Sequence, residues 1–433
     1  MKTIINVFFF TFVGLISLNA QQRITLLGQA HATDVSNPQN NVSYLFGGQS
    51  SPIDFTNALY KLDDSGQLQF IEPSSSCPQP APRSGATAWF DNGSLYIRGG
   101  FNSAAGCMGD TWVFNTTTKC WALLLTGDPC VAYMASVKVP TDNKVYLVGG
   151  RNAAGESLPH FYSLNLGNPG AGYTTLPALP EPLAGPAVLQ KNGKTLVFGG
   201  LWHDWDPNTP GNQPSYSQNI WRYSPTAKAG WDMVPATGEI IELYRMAYTQ
   251  DPLGNFIYVF GGRTYNYTTN SEFFSNGIYK FNLNTNVWTK VPVNLPVALA
   301  DFTASYRSHT GGNDTIYLIG GQLQNGTLSS TSYKFSVLGN TLTPFVITST
   351  PEITPEKAGL SIYPNPGTDI INFQCKEPIN VANLTVYNAF GQQMISRKDY
   401  SGTSVTVADF PVGLYFVELG MRDKTLKARF VKK

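Results

Sequence analysis

Two stretches of the chain combine aromatic rings with polar side chains in a way that suits ligand binding. Aromatic rings set among Asn, Asp, Ser and Thr side chains stack on sugar rings or anchor a protein partner. The alternative interpretation is that these rings fold back under long loops as a small satellite core. The candidate ligand-binding residues are Trp202, His203, Asp204 and Trp205 in the first stretch, and Tyr265 and Tyr267 in the second.

The first stretch also contains donor groups of the kind that hold a metal ion, in His203, Asp204 and Asp206. A protein-bound zinc or copper ion needs further nitrogen or sulfur ligands at suitable spacing. The other histidines of the chain are dispersed far from this stretch. We therefore expect His203 to be a hydrogen-bonded loop residue, and the sequence predicts neither a metal nor another cofactor.

The composition narrows the class of protein that presents these residues. Of the 433 residues only 13% are charged, with 29 basic and 28 acidic side chains and a net charge of +1. Globular proteins carry about 25% charged residues, so neither a nucleic-acid partner nor an acidic disordered tail is expected. The 41 Gly, the 29 Pro and the 13% of aromatic residues are typical of short strands joined by many turns. The composition thus predicts an all-β protein.

The N-terminus has the layout of a secretory signal peptide over residues 1–20. Lys2 precedes an apolar run from Ile4 to Leu18, and Ala20 stands at the expected cleavage position. The run is shorter than the ~20 residues of a bilayer span, so the mature chain is expected to have no transmembrane segment and to reach an oxidising compartment. Four neighbouring cysteines then favour disulfides of undetermined connectivity: Cys77, Cys107, Cys120 and Cys130.

A double glycine after a short apolar run occurs six times, and this repeat determines the expected fold. The intervals between successive first glycines are 52, 50, 50, 62 and 59 residues. Two adjacent glycines allow positive φ angles and a close approach of another backbone. The six pairs are Gly47 and Gly48, Gly99 and Gly100, Gly149 and Gly150, Gly199 and Gly200, Gly261 and Gly262, and Gly320 and Gly321.

Each repeat also carries two large aromatic residues at regular distances. The first stands 12 residues after the second glycine in four copies, as Trp112 does, and the second follows 9 to 12 residues later, as Trp121 does. A strand of apolar or small residues precedes the double glycine from the second copy onward. Each repeat is therefore interpreted as four antiparallel strands, and neighbouring sheets in a radial array cover their apolar faces.

These residues resemble the Kelch repeat, whose hallmark is this double glycine followed by spaced Tyr and Trp. The resemblance covers about residues 24–347 and implies a six-bladed Kelch β-propeller, in which the glycines and aromatic residues are structural. Two segments, Ile24 to Leu27 and Leu342 to Val346, are both able to supply an outer strand. How the ring closes is therefore left open.

The fourth and fifth repeats depart from the regular spacing. The first aromatic residue follows the second glycine by 21 residues in one, Gly200 to Trp221, and by 17 in the other, Gly262 to Tyr279. In an antiparallel four-stranded blade this loop emerges on the same face as the connection between blades. The two long loops, which carry the candidate ligand-binding residues, are therefore predicted to stand side by side on one rim.

The composition changes again after the last repeat. Residues 348–358 are rich in Pro and Thr and are interpreted as a linker. Residues 359–433 contain alternating strand segments, such as Ile370 to Phe373 and Leu414 to Leu419, which predict a small immunoglobulin-like β-sandwich. The chain is thus expected to be all-β, with a propeller followed by a second, smaller domain.

This second domain closely resembles the C-terminal sorting domain of the type IX secretion system of Bacteroidota. The resemblance implies export through an outer-membrane translocon as partner, removal of the tail, and release of the protein or its attachment at the cell surface. A plain adhesive module is the alternative. The residues that carry the resemblance are Tyr363, Pro364, Asn365, Pro366, Gly413, Lys432 and Lys433.

Propellers host both binding proteins and enzymes, so two functions are weighed. We expect a secreted or surface-displayed, non-catalytic module that binds a glycan or a protein. The alternative is a carbohydrate enzyme of the Kelch type, resembling either galactose oxidase or a sialic-acid mutarotase. The copper enzyme needs paired histidines that the spacing does not offer. The mutarotase needs an acid, a base and an arginine near the axis, for which the candidates are Arg83, Arg245, Glu239 and Glu242.

Overall fold

The chain divides into two compact units. One spans Gln22–Thr350 and the other contains Pro351–Lys433. The predicted signal peptide, residues 1–20, and most of the predicted linker lie outside the described residues. The computed structural model describes residues 27–34, 42–51, 54–203, 213–227, 230–309, 311–345, 349–350, 360–375, 382–388, 393–420 and 425–433.

The described part of the larger unit is a β-propeller of six blades, which confirms the predicted fold. Each blade has four antiparallel strands from one continuous stretch of chain, and the double glycine follows the second strand. From inside to outside the strands are Ala30–Asp34, Val42–Phe46, Leu59–Leu62 and Leu68–Ile71; Thr87–Asp91, Ser94–Arg98, Thr111–Asn115 and Cys120–Leu125; Ala135–Val139, Lys144–Val148, Phe161–Asn165 and Tyr173–Thr175; Ala187–Lys191, Lys194–Phe198, Ile220–Tyr223 and Trp231–Met233; Ala247–Gln250, Phe256–Phe260, Ile278–Asn282 and Val287–Lys290; Thr303–Arg307, Thr315–Ile319, Ser332–Ser336 and Thr341–Phe345.

Short elements flank the blades. Thr237–Gly238 runs parallel to the outer strand of the fifth blade, and Ser349–Thr350 runs parallel to the outer strand of the first. Pro140–Asp142 and Pro169–Ala171 form single 3-10 turns. Short strand pairs after the double glycines are Gln49–Ser51 with Asp54–Phe55, Phe101–Asn102 with Gly106–Cys107, Leu201–His203 with Ser215–Tyr216, Arg263–Asn266 with Ser271–Phe274, and Leu299–Ala300 with Gln322–Leu323.

The repeated aromatic residues lie on the third and fourth strands and fill the space between blades, as the sequence predicts. Trp121, on the outer strand of the second blade, is only 1% exposed. Its ring centroid lies 5.0 Å from that of Phe114 in the same blade and 5.1 Å from that of Phe46 in the first blade. Such contacts bury large apolar surfaces, so they hold neighbouring blades together mainly through the hydrophobic effect.

The double glycine joins each blade to the connection that leads into the next one. In the third blade Gly149 and Gly150 have φ angles of +68° and +109°. The Gly150 amide donates to the carbonyl of Leu183 at 2.8 Å, and a Cβ on Gly149 would lie 2.2 Å from that same oxygen. A side chain here would meet both a backbone clash and a strained φ, which explains why the position is glycine.

The described residues show how the ring closes between the sixth blade and the first. Residues 341–345 form the outer strand of the sixth blade itself, whereas residues 24–26 lie outside the described residues. Ser349 and Thr350, which the sequence places in the linker, instead pair with Leu68 and Gln69 of the first blade. The chain therefore adds a fifth strand to its first blade after completing its sixth.

Polar contacts support this closure. The hydroxyl groups of Ser43 and Ser305 lie 2.6 Å apart, and Arg307 Nη2 donates to the carbonyl of Leu62 at 3.1 Å. Burial lowers the pKa of Arg307 to about 10. His31, on the innermost strand of the first blade, has its pKa lowered to about 3 by desolvation and then by the positive charge of Arg307.

Two disulfides resolve the connectivity that the sequence leaves open. Cys77 pairs with Cys120, and Cys107 pairs with Cys130. Both bridges attach the second blade to a connection between blades, one before it and one after it. Their loops of 43 and 23 residues restrict the unfolded chain, which stabilises this part of the ring.

The smaller unit is a sandwich of two sheets. Its core contains Phe373, Val386, Tyr415, Val417 and Phe430, drawn from both sheets, each at most 3% exposed. Its resemblance to the immunoglobulin fold stays a prediction. The strands, in sheet order, are Leu360–Tyr363, Ile370–Cys375 and Ser404–Thr406 in the first sheet, and Gln393–Tyr400, Ala382–Asn388, Gly413–Gly420 and Thr425–Lys432 in the second.

Candidate functional site

The long loops of the fourth and fifth blades contact each other on the face where the double glycines end. The side chain of Gln213 donates to Asn270 Oδ1 at 2.8 Å, and the Tyr267 hydroxyl donates to the carbonyl of Pro214 at 3.1 Å. Both loops begin at strand pairs that directly follow a double glycine. The two loops therefore lie side by side on one rim, as the sequence predicts.

Among the described residues of these two loops, three aromatic rings are exposed. Trp202 and Tyr267 are each 48% exposed, and Phe273 is 41% exposed. We call these three residues the aromatic rim. The bond from Tyr267 to Pro214 fixes one ring across the gap between the loops, so it loses less conformational entropy when it contacts a ligand.

Other aromatic residues of the same loops form a satellite core. Tyr265 is only 8% exposed, which corrects its expected place among the exposed residues. It packs with Tyr216, Tyr244 and Leu201, and its hydroxyl donates to Asn270 Oδ1 at 2.8 Å. Burial and the neighbouring Glu272 raise the pKa of Tyr216. The satellite-core interpretation thus holds for Tyr265 and Tyr216, whereas ligand binding by the exposed rings stays a prediction.

The histidine of the first loop is exposed, at the end of the strand Leu201–His203. Its sequence neighbours Asp204 and Trp205 lie outside the described residues. Among the residues that are described, no three His, Cys, Asp or Glu side chains are grouped as a metal site requires. The loop therefore offers aromatic and polar surface, and the prediction that His203 holds no metal stays a prediction.

A belt of left-handed residues surrounds the propeller axis on this same face. In each blade the residue two positions before the inner strand has φ between +53° and +65°. Five hydrogen bonds of 2.7 to 3.1 Å connect these residues from blade to blade, including one from Gly28 to Asp301 across the closure. The six residues are Gly28, Gly85, Tyr133, Gly185, Arg245 and Asp301.

Of the three non-glycine residues of the belt, Arg245 contacts the other two. Arg245 forms an ion pair with Asp301, and its guanidinium lies 4.3 Å from the ring centroid of Tyr133. Arg263 also binds Asp301, at 2.9 Å, and reaches Gln322 at 2.8 Å. Although burial opposes it, the charge of Asp301 holds the pKa of Arg245 above its ordinary value.

We call Tyr133, Arg245, Asp301 and Arg263 the axial cluster. The sequence predicts this cluster only in part. The sequence singles out Arg245 but misses Tyr133, Asp301 and Arg263. Alignment of the repeats would have found the first two, because the same position is glycine in three blades. A non-glycine residue in the left-handed region costs about 1 to 2 kcal/mol, and such strain tends to be kept at functional positions.

The four residues weighed for the enzyme alternative do not come together. Arg83 is fully buried, and its side chain binds Asp110 of the second blade through two bonds of 2.5 and 2.9 Å. Its backbone forms hydrogen bonds with Gly48 and Thr56 of the first blade, so Arg83 is a structural clamp between the two blades. Glu239 is exposed in the connection between the fourth and fifth blades, where Glu242 accepts a bond from Gln218. Of the four, Arg245 alone belongs to the axial belt.

In the smaller unit the residues of the sorting resemblance converge on the last strand. Lys432 pairs with Gly413 on one side and forms a bridge with Gly367 on the other. Asn365 Oδ1 accepts from the amide of Val431 at 2.9 Å, and its Nδ2 donates to the carbonyl of Arg429 at 3.2 Å. Segments that are distant in sequence therefore meet at the C-terminus.

Comparison with known families agrees with this architecture. Residues 43–329 match the family model described as Attractin/LZTR1 beta-propeller, and residues 361–433 match the secretion system C-terminal sorting domain. The chain therefore belongs to the Attractin/LZTR1 β-propeller family, a Kelch-type propeller, and ends in a type IX sorting domain. That domain marks a protein exported for secretion or for the cell surface. Within the described residues, no helix is long and apolar enough to span a membrane.

The similar proteins include Kelch-like proteins and one protein that is named as an enzyme. Kelch-like protein 25 of Xenopus tropicalis is 24% identical over 286 residues, and that of Homo sapiens is 25% identical. The match covers 64% of this chain but only 42% of each of those proteins. N-(sulfonatooxy)prop-2-enimidothioate sulfolyase of Thlaspi arvense is 27% identical over 51% of this chain and 66% of that one.

One solved structure supports the fold alone. The structure of YjhT aligns with a TM-score of 0.56 at 16% sequence identity and covers 74% of this chain and 98% of that one. At this identity the match says nothing about the ligand or activity.

Proposed function

We propose that the exported propeller is a non-catalytic module that binds a glycan or a protein through the aromatic rim and the adjoining residues of the same loops. The main support for this proposal is the exposure of Trp202, Tyr267 and Phe273 on two loops that are hydrogen-bonded to each other. Soluble proteins bury most large aromatic side chains, and clustered exposed rings are typical of interaction sites. His203, at the end of its strand, adjoins this proposed surface, and Asp204 and Trp205 stay candidates from the sequence alone.

The chemistry of the surface fits a ligand with apolar faces and hydroxyl or amide groups. Asn266 and Asn270 lie on the turn beside the ring of Tyr267. Amide side chains both donate and accept hydrogen bonds, while exposed rings stack on the C–H faces of sugars or receive apolar side chains of a protein. Neither the hydrogen bonds nor the ring contacts need an acid and a base close to each other, which catalysis would need.

The decisive experiment is binding of the full-length protein to an array of glycans and a panel of cell-surface proteins. We expect Trp202→Ala and Tyr267→Ala to weaken the strongest interaction about tenfold or more, since aromatic anchors dominate binding energy. Phe101→Ala is the matched control, because Phe101 is a 40% exposed aromatic residue after the double glycine of the second blade.

Two results would contradict the proposal. Equal losses in all three variants would show that ligand contact is not centred on the aromatic rim. Turnover of a sugar substrate, such as interconversion of sialic-acid anomers, or copper bound in stoichiometric amount, would show that the propeller is an enzyme of the kind weighed above.

A further inference from the structure

A second candidate site lies on the opposite face of the propeller, between the fourth and fifth blades. A cleft of about 280 Å³ opens there. One wall is the turn Lys191 to Lys194, which joins the two inner strands of the fourth blade, and the other is the turn Leu283 to Asn286 of the fifth blade. Both turns stand at the blade ends away from the double glycines.

The cleft has an apolar floor and a cationic, amide-rich edge. Leu196, Val234 and Leu283 are buried at 5%, 4% and 9% exposure. The edge is formed by three basic residues and three asparagines: Lys191, Lys194, Arg222, Asn192, Asn284 and Asn286. Among 433 residues with a net charge of +1, three basic side chains around one cleft are a local concentration of positive charge.

Neighbouring carboxylates leave part of this charge uncompensated. Arg222 is paired with Asp232, whose Oδ1 lies 3.1 Å from Arg222 Nε. Asp251, on the adjoining turn of the fifth blade, is 9% exposed, and its Oδ1 accepts from the amides of Asn255 and Phe256 at 2.7 Å each. Lys191 Nζ donates to the carbonyl of Gly254, which leaves its charge in place.

We propose that this cleft binds an acidic sugar residue of a carboxylated polysaccharide. The C–H face of a pyranose ring fits the apolar floor, its hydroxyl groups match the Asn amides, and its carboxylate pairs with Lys191 and Lys194. A neutral sugar would leave the positive charges of the two lysines uncompensated, and a simple anion would leave the floor uncovered. The volume is at the small end of ligand sites, which suits a single sugar residue.

The proposal is independent of the aromatic rim, which lies on the other face. The test measures binding of the full-length protein to polygalacturonate by affinity electrophoresis, with neutral galactan and dextran sulfate in parallel. We expect binding to polygalacturonate that falls about tenfold in Lys194→Glu and in Lys191→Ala/Lys194→Ala, since each lost charge-assisted bond weakens binding by about that factor. Binding should also weaken as NaCl rises, because both lysines are near the surface.

A matched control exists in the third blade. Lys144 begins the second strand there, as Lys194 does in the fourth blade, so Lys144→Glu makes the same charge change at an equivalent position. We expect this variant and Trp202→Ala to retain polygalacturonate binding. A loss in Trp202→Ala alone would place the polysaccharide on the rim, support the proposed function and overturn the second site.

Three further results would overturn the inference. If the double variant Lys191→Ala/Lys194→Ala still binds polygalacturonate, the two lysines do not contact the ligand. Equal affinity for neutral galactan, or tighter binding of dextran sulfate, excludes a carboxylated sugar as the ligand. Displacement of polygalacturonate by inorganic phosphate at comparable concentration would reduce the cleft to a site for simple anions.

Discussion

Aromatic residues have different environments in two regions of the propeller. One region is the set of repeated four-stranded blades, which we call the frame, and the other is the pair of long loops of the fourth and fifth blades. In the frame, large rings such as Trp121 and Phe114 are at most 1% exposed and lie between blades. In the loops, Trp202 and Tyr267 are about half exposed. The rings at the repeated positions are thus buried between blades, whereas the two longer loops also expose rings on the surface.

The axial belt shows the same contrast within one repeated position. Gly28, Gly85 and Gly185 adopt the left-handed conformation at low cost. Tyr133, Arg245 and Asp301 adopt it with strain, and Arg245 contacts the other two. The backbone conformation at this position is therefore the same in all six blades, whereas the side chain differs from blade to blade. Variants that act on the frame and on the loops separately can test this comparison.

The largest effect is expected at a frame glycine. Gly149→Ala would put a Cβ 2.2 Å from the carbonyl oxygen of Leu183 at a φ of +68°. We expect a loss of about 4 kcal/mol or more in the free energy of unfolding, measured by urea denaturation. Gly193→Ala is the control, because it has a similar φ of +72° with open space around it. It should lose about 1 kcal/mol, and equal losses would refute the role of the close approach.

A smaller loss is expected when the clamp between the first two blades is cut. Arg83→Met leaves the carboxylate of Asp110 without its guanidinium, and removing one partner of a buried pair costs about 3 kcal/mol. The pair Arg222 and Asp232 is more exposed, so Arg222→Met should cost below about 1 kcal/mol. Denaturation of both variants side by side checks the difference, and a similar cost in each would mean that Arg83 is not a clamp.

Acid should weaken the frame through His31. The folded state lowers its pKa from 6.5 to about 3, so the folded protein keeps the ring neutral where the unfolded chain protonates it. This contribution to stability is complete above about pH 6.5 and is lost as the pH falls toward 3. His31→Gln should flatten the decline of the melting temperature between pH 7 and 4. Identical pH profiles for the wild type and His31→Gln would contradict the assignment.

The smallest effect on stability is expected at the aromatic rim. Trp202→Ala removes a half-exposed side chain, so its unfolding free energy should stay within about 0.5 kcal/mol of the wild type. Tyr265→Ala, two residues before Tyr267, empties a site in the satellite core and should cost about 3 kcal/mol. Thermal denaturation that ranks these two variants in the opposite order would remove the distinction between rim and satellite core.

Much of the frame follows from the sequence because its signals are local and repeated. The double glycines and the spaced aromatic residues mark the second, third and fourth strands of every blade, as Trp112 and Trp121 do in the second. The candidate site is less predictable. Tyr265 and Tyr267 belong to the same loop and have the same residue type, but one is buried against Tyr216 of the neighbouring loop and the other is exposed.

The sequence by itself determined the six blades, the position of the two long loops on one face and the sorting tail, because a periodic pattern fixes local strands and a radial array is the packing that covers their apolar faces. Tertiary structure alone decided the pairing of Cys77 with Cys120, the closure through Ser349 and Thr350, and the axial cluster around Asp301. Each of these joins residues far apart in the chain, where no local spacing reports which side chains become neighbours.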